Sequence, residues 1–215
     1  MNPRPPRTDR SQILDAALAL LDEEGTDALT MRALGARLGV DPMTIYRYVP
    51  SQAALHDGIV ERIWTQADAE RGAPGSTAAW RDVVAQLALA LRAAMLAHPG
   101  AAVMVATRPG VTGEQLQLLE SVLEDLGRCG VPADEGMRVL DRAVALVVGC
   151  VLGELRIPQG GVDTAVEDVA AEIRPERFPR LASAFAGGYG WDPGAGFERA
   201  LAALLAGWEV SSPQA

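Results

Sequence analysis

The chain contains no lysine, so all 19 of its basic side chains are arginine. Its two cysteines, Cys129 and Cys150, are too few for a disulfide framework and read as small packing residues. Aromatic residues are scarce at 5%, and alanine dominates an apolar content of 49%, which favours helices over strands. The longest apolar run, Ala143 to Leu152, falls far short of the roughly 18 residues of a membrane span. No apolar core follows the opening MNPRPPRTDR, so a signal peptide is not expected and a reduced, cytoplasmic, soluble protein is. His56 and His98 have no second His or Cys at ligand spacing, so neither a metal nor a cofactor is expected. His98, just before Pro99, suits a helix end. No spacing of Ser, Asp or Glu marks a nucleophile or a general base, which argues against an enzyme.

What the chain has is helical punctuation. No alternating strand pattern competes with it, and the fold class expected is all-α. The first ten residues, rich in Pro and Arg, read as a mobile arm, either without a role or touching a DNA minor groove or backbone. Residues 11–24 form a first helix, with Ile13, Leu14, Ala17, Leu20 and Leu21 at helical spacing and Gly25 as its stop. Thr30 caps a second helix, Gly39 supplies a tight turn, and Asp41 followed by Pro42 starts a third helix that Pro50 ends. Ser51 caps a fourth. RGAPGST at 71–77 is the best domain boundary, giving units of 1–70 and 71–215. Beyond it the pattern predicts helices over 78–97, 101–106, 114–126, 133–155, 162–172 and 194–210.

The most informative stretch is TMRALGARLGVDPMTIYRYVPS at 30–51. Two short helices across a tight turn, the second with a polar, aromatic and basic face, are how a helix-turn-helix presents residues to a major groove. Thr30 suits a phosphate contact, and so do the hydroxyls of Tyr46 and Tyr48. Arg32 and Arg47 can reach guanine bidentately. Thr44 can meet a base edge or a thymine methyl, and Pro42 and Met43 offer apolar contact. The net charge of −9 does not exclude DNA, because phosphate binding needs a local basic stripe rather than a basic whole.

Two later helices carry narrow apolar stripes: Met137, Leu140, Val144, Val147 and Val151 on one, and Phe197, Leu201, Leu204, Leu205 and Trp208 on the other. Either they fill the core of one chain or they meet their copies across a two-fold axis. The second is preferred, because one short recognition helix reads too few bases and a symmetric dimer reads two half-sites.

Residues 10–63 resemble the DNA-binding domain of the TetR family of bacterial transcriptional regulators. The likeness lies in a first helix ending in EEG, then LTMRALGARLGV, TIYRYV and SQAALHDGIV. It extends to the tetracycline-repressor branch through Trp80, HPGAAVMVATRP at 98–109 and GVPADEGMRVLDRAVALVVGCVLGE at 130–154. The resemblance implies an N-terminal three-helix helix-turn-helix domain and a C-terminal helical ligand-binding and dimerisation domain. It also implies that the partners are double-stranded operator DNA, a small effector and a second copy of the chain. In it Thr30, Arg32, Thr44, Tyr46 and Tyr48 fall at operator-contacting positions. Pro42 replaces a base-reading glutamine, and Gln52 a phosphate-binding lysine.

Departures in the second half bear on the effector. Met104 stands where the branch has a magnesium-binding histidine, and Leu87, Leu91 and Val122 stand where it has drug-contacting residues. The resemblance therefore implies a hydrophobic effector without a metal, held by Leu87, Leu91, Met95, Met104, Thr107, Val122 and Val148. The function expected is a homodimeric repressor released from a palindromic operator by that effector. The alternative is a helical ligand-binding or scaffolding protein whose DNA head does not work.

Overall fold

The computed structural model describes residues 8–75, 77–108, 112–155, 173–190 and 192–210. Among them every regular element is helical: α1 (Arg10–Glu24), a 3-10 turn (Thr26–Ala28), α2 (Met31–Leu38), α3 (Pro42–Tyr46), α4 (Gln52–Arg71), α5 (Trp80–Ala97), α6 (Pro99–Thr107), α7 (Gly113–Arg128), α8 (Ala133–Leu155), α9 (Pro179–Ala186) and α10 (Pro193–Gly207).

Local chemistry sets these boundaries. Asp9 accepts the Gln12 N–H at 2.9 Å while the Gln12 side chain accepts the Asp9 N–H at 3.2 Å, a reciprocal cap that starts α1. Thr30 Oγ1 accepts the Ala33 N–H at 3.1 Å, Asp41 the Met43 N–H at 2.8 Å and Ser51 the Ala54 N–H at 3.1 Å, so α2, α3 and α4 each begin on a side-chain cap. Gly39 ends α2 at φ 67°, ψ 30°, in the left-handed region that side chains avoid. Gly35 is required for closeness instead. A Cβ there would lie 2.8 Å from the Val40 carbonyl oxygen and 3.3 Å from the Pro42 ring, so its absence sets how tightly α3 folds back on α2.

The packing runs through α4. This helix lies against α1 on one side and against α5, α6 and α7 on the other. Leu55, Ile59 and Ile63 are fully buried along it. α8 then packs on α5 and α10. The apolar faces of α1 (Ile13, Leu14, Ala17, Leu21) and α5 (Val83, Leu87, Leu91, Ala94, Met95) complete one continuous core.

Several sequence expectations change. The arm is shorter than ten residues: Asp9 caps α1 and Arg10 opens it, and residues 1–7 lie outside those described. α3 is helical only to Tyr46, so Arg47 and Tyr48 occupy the turn beyond it, where the Tyr48 and Val49 N–H groups both reach the Ile45 carbonyl at 2.9 Å. α6 begins at Pro99 and α7 at Gly113, each earlier than the pattern predicts: the His98 carbonyl accepts the Ala101 and Ala102 N–H groups at 3.0 and 3.2 Å, and the Thr112 side chain caps α7. The helix α9 was not anticipated. The helix expected over 162–172 lies outside the described residues.

Candidate nucleic-acid interface and internal cavity

α2 and α3 form the helix-turn-helix. Ile45 and Val49, at 0% and 2% exposure, anchor α3 in the core, and the residues between them turn outward. Met43 is 69% exposed, Tyr46 42% and Tyr48 39%, and Arg47 is exposed as well. Three consecutive outward side chains cover more than half the girth of a regular helix. The end of α3 at Tyr46 lets all three face solvent. Thr30 and Arg32 at the start of α2 are exposed, while Pro42 and Thr44 are half-buried. Every DNA-facing residue expected from sequence thus lies on the outer side of this module or at its edge.

Two of the acids nearby are occupied. Asp41 holds the α3 N-terminus, and Glu23 takes both terminal nitrogens of Arg37, at 2.5 and 2.7 Å. The hydrogen bond from Arg37 holds the Glu23 carboxyl below its ordinary range, against a small opposing effect of burial. Among the described residues no carboxylate pairs with Arg32 or Arg47. Gln52 spends its amide on the Leu29 carbonyl, 2.6 Å away, tying the start of α4 to the chain before α2.

The body contains a cavity of about 260 Å³ between α4, α5, α7 and α8. Trp64 comes from α4 and Leu87 from α5. α7 contributes Gln115, Leu118, Leu119 and Val122, and α8 contributes Met137, Leu140, Asp141 and Val144. Of the residues expected to hold an effector, only Leu87 and Val122 line it. Leu91 and Met95 are fully buried and fill the core around α5. Met104 is buried in α6, outside the lining. Thr107 is exposed and its hydroxyl donates to the Val103 carbonyl of its own helix at 2.7 Å. Val148 is half-buried one turn beyond the end of the lining on α8.

The expected dimer stripes are also reassigned. Leu140, Val147, Val151, Phe197, Leu201 and Leu205 are all buried inside the single chain, which leaves them no surface for a second copy. Met137, Leu140 and Val144 line the cavity instead. Only Met137, Val144, Leu204 and Trp208 of these stripes keep part of their surface beyond the core. The physical reason is that α8 packs on both α5 and α10. The outward faces of α8 and α10 carry charged residues toward the helix starts (Arg138, Asp141 and Arg142 on α8, Glu198 and Arg199 on α10) and small ones beyond: Ala145, Gly149 and Gly153 on α8, and Ala202, Ala203 and Ala206 on α10.

Sequence reading missed Gln115, Trp64 and Asp141 in the cavity. For Gln115 the signal was present, since Thr112 and Gln115 have the spacing of a capping box.

Comparison with known proteins agrees with this architecture. The profile of the tetR family of bacterial regulatory proteins matches residues 13–58, and that of the tetracyclin repressor-like C-terminal domain matches residues 73–211. The chain is 31% identical to the class A tetracycline repressor from transposon 1721 of Escherichia coli, over 91% of this chain and 88% of that protein. It superposes on a crystal structure of a possible TetR family transcriptional regulator from Streptomyces coelicolor with a TM-score of 0.73 at 30% identity, covering 93% of this chain and 98% of the other. It shares its fold with a TetR variant from Acinetobacter baumannii solved in complex with minocycline, with a TM-score of 0.67 at 24% identity over 94% of this chain and 96% of that one. Among the described residues no helix is long and apolar enough to cross a membrane. The chain belongs to the tetR family of bacterial regulatory proteins and is a ligand-responsive, DNA-binding transcriptional repressor rather than an enzyme.

Proposed function

We propose that this repressor works in the cytoplasm as a homodimer on a palindromic operator, and that a small, largely apolar effector entering the α4–α5–α7–α8 cavity releases it. The head extends to about residue 70 and the regulatory body follows. Thr30, Arg32, Thr44, Tyr46, Arg47 and Tyr48 contact DNA, with Pro42 and Met43 against the groove wall. The small residues outward on α8 and α10 let paired helices approach closely and carry the dimer contact.

One observation supports the regulatory half most directly: α4 belongs to both units. Its Trp64 forms a cavity wall, while two residues away Arg62 pairs with Asp15 of α1 at 2.6 Å. An effector that favours a different seat for Trp64 therefore favours a different seat for the head. In a dimer this changes the separation of two recognition helices that must match half-sites about 34–36 Å apart, or a multiple of that. The effector shifts the balance only by its differential affinity for the two states. The lining is apolar except for Gln115 and Asp141, which supports an effector with an apolar body.

Selection of bound sequences from a random duplex pool tests the DNA half. The expected result is an inverted repeat whose half-sites lie about one helical turn apart. Enrichment of single half-sites, with a monomer in sedimentation, overturns the dimeric reading.

A further inference from the structure

We infer that Gln115 is the polar specificity residue of the cavity, and that the effector is an uncharged, mostly apolar molecule carrying a carbonyl-type hydrogen-bond acceptor. The inference rests on the reading of this cavity as the effector site.

The orientation of the Gln115 amide follows from chemistry. Its Oε1 accepts the backbone N–H of Thr112 at 3.1 Å, while the Gln115 N–H donates to Thr112 Oγ1 at 3.3 Å. An amide NH₂ cannot accept a hydrogen bond, so flipping the side chain would forfeit the Thr112 N–H bond that closes the capping box. The cap thus leaves Nε2 as the uncommitted end. Gln115 is 9% exposed, and its Nε2 is buried with no acceptor among the described residues. A buried N–H donor is costly to leave unmatched, and Gln115 borders the cavity. A ligand oxygen lodged beside Gln115 would supply the missing acceptor.

The neighbours narrow the class. Leu118, Leu119 and Val122 on the same helix, with Leu87 and Trp64 opposite, offer an apolar bed to the rest of the molecule. Asp141 lines the same cavity with an exposed carboxylate and disfavours an anionic ligand. A carboxylate or phosphate would satisfy Gln115 but meet Asp141. A neutral ketone, quinone or amide oxygen satisfies one without opposing the other.

Fluorene and 9-fluorenone, nearly identical in shape and differing by one carbonyl, serve as probes. Calorimetry on the full-length dimer gives their affinities, and quenching of Trp64 fluorescence that disappears in Trp64→Phe places them in the cavity. The unaltered chain is expected to prefer fluorenone by about tenfold. Gln115→Met removes the donor, and Gln115→Glu, measured at pH 8, removes it while keeping an oxygen for the Thr112 cap. Each is expected to bring the fluorenone-to-fluorene ratio close to one, and using a ratio cancels any general loosening of α7. Equal binding of the two probes by the unaltered chain, or a preference that survives both substitutions, overturns the role of Gln115 and leaves the cavity reading standing. Binding of neither probe overturns the cavity reading and the inference together.

Discussion

Arg10, the first residue of α1, clasps Glu61 in the middle of α4 with both terminal guanidinium nitrogens. Nη2 donates to Oε2 at 3.0 Å and Nη1 donates to Oε1. The Glu61 carboxylate is 7% exposed and Arg10 is 43% exposed, so the pair roots a surface cation on a buried anion. Burial by itself would raise the Glu61 carboxyl. Hydrogen bonds from Arg10 and Thr112, with the charge of Arg10, outweigh it and hold the group below its ordinary value of 4.5. Glu61 thus joins the start of the head to the helix shared with the body.

Acid is expected to loosen this junction. The Glu61 carboxyl is depressed in the folded chain, so its stabilisation is complete above about pH 4.5 and is lost as the pH falls through the lower folded value. Glu61→Gln is expected to cost about 1–3 kcal/mol near neutral pH. It should also make thermal stability fall less steeply below pH 4.5 than in the unaltered chain. Melting curves at a series of pH values check this, and parallel pH profiles would contradict the assignment.

The head was legible in the sequence because its determinants are local. Asp9, Thr30, Asp41 and Ser51 each cap the helix that follows within three residues, and Gly39 needs only its own φ. The body was less legible, because periodicity gives an apolar face but not what covers it. The stripe of Val147 and Val151 has the same spacing whether it meets α5 and α10 or a second subunit. Leu91 and Met95 differ from Leu87 only in depth, and depth is set by where α7 and α8 come to rest. α9 was hidden by Pro179 at its start and paired glycines after it, which read as loop.

Gly35→Ala is expected to weaken operator binding strongly. The added methyl would sit 2.8 Å from the Val40 carbonyl oxygen, and backbone cannot swing aside as a side-chain end can. α3 must shift on α2, at a cost of about 1–3 kcal/mol. Binding should drop by at least about tenfold, since recognition depends on placement within an ångström or so. Mobility-shift titration checks it. A Gly35→Ala chain that binds normally would show that the turn has slack.

The ion pair of Arg71 and Asp125 anchors the far end of α4 to α7. The two side chains are 4% and 5% exposed and 2.8 Å apart. Asp68 also takes Arg71 at 2.7 Å, and Arg128 reaches Asp125 from the surface. Burial opposes the Arg71 charge, but the hydrogen bonds it donates to the two aspartates, with their charges, outweigh it and raise its pKa. Arg71→Met strands Asp125 with one exposed partner and is expected to cost about 2–4 kcal/mol. Arg71→Met with Asp125→Leu should recover much of that, because two apolar groups replace a buried pair nearly neutrally. Chemical denaturation of the four forms gives the coupling. Additive losses would mean the pair does not act as one unit.

Arg47 and Tyr46 separate function from stability most sharply. Both side chains are exposed, and neither is needed to hold α3, which Ile45 and Val49 anchor. Arg47→Ala and Tyr46→Phe should therefore move thermal stability by no more than about 0.5 kcal/mol. Their effects on DNA should differ in kind. Arg47→Ala, if the guanidinium reads a guanine, costs about 1–3 kcal/mol and relaxes preference at one base position of each half-site. Tyr46→Phe, if the hydroxyl meets a phosphate, weakens all sequences alike. Its salt dependence should stay unchanged, because a neutral donor releases no counterion. Binding of an operator and its single-base variants at two salt concentrations distinguishes these outcomes. Unchanged affinity in both variants would move the recognition surface away from the end of α3.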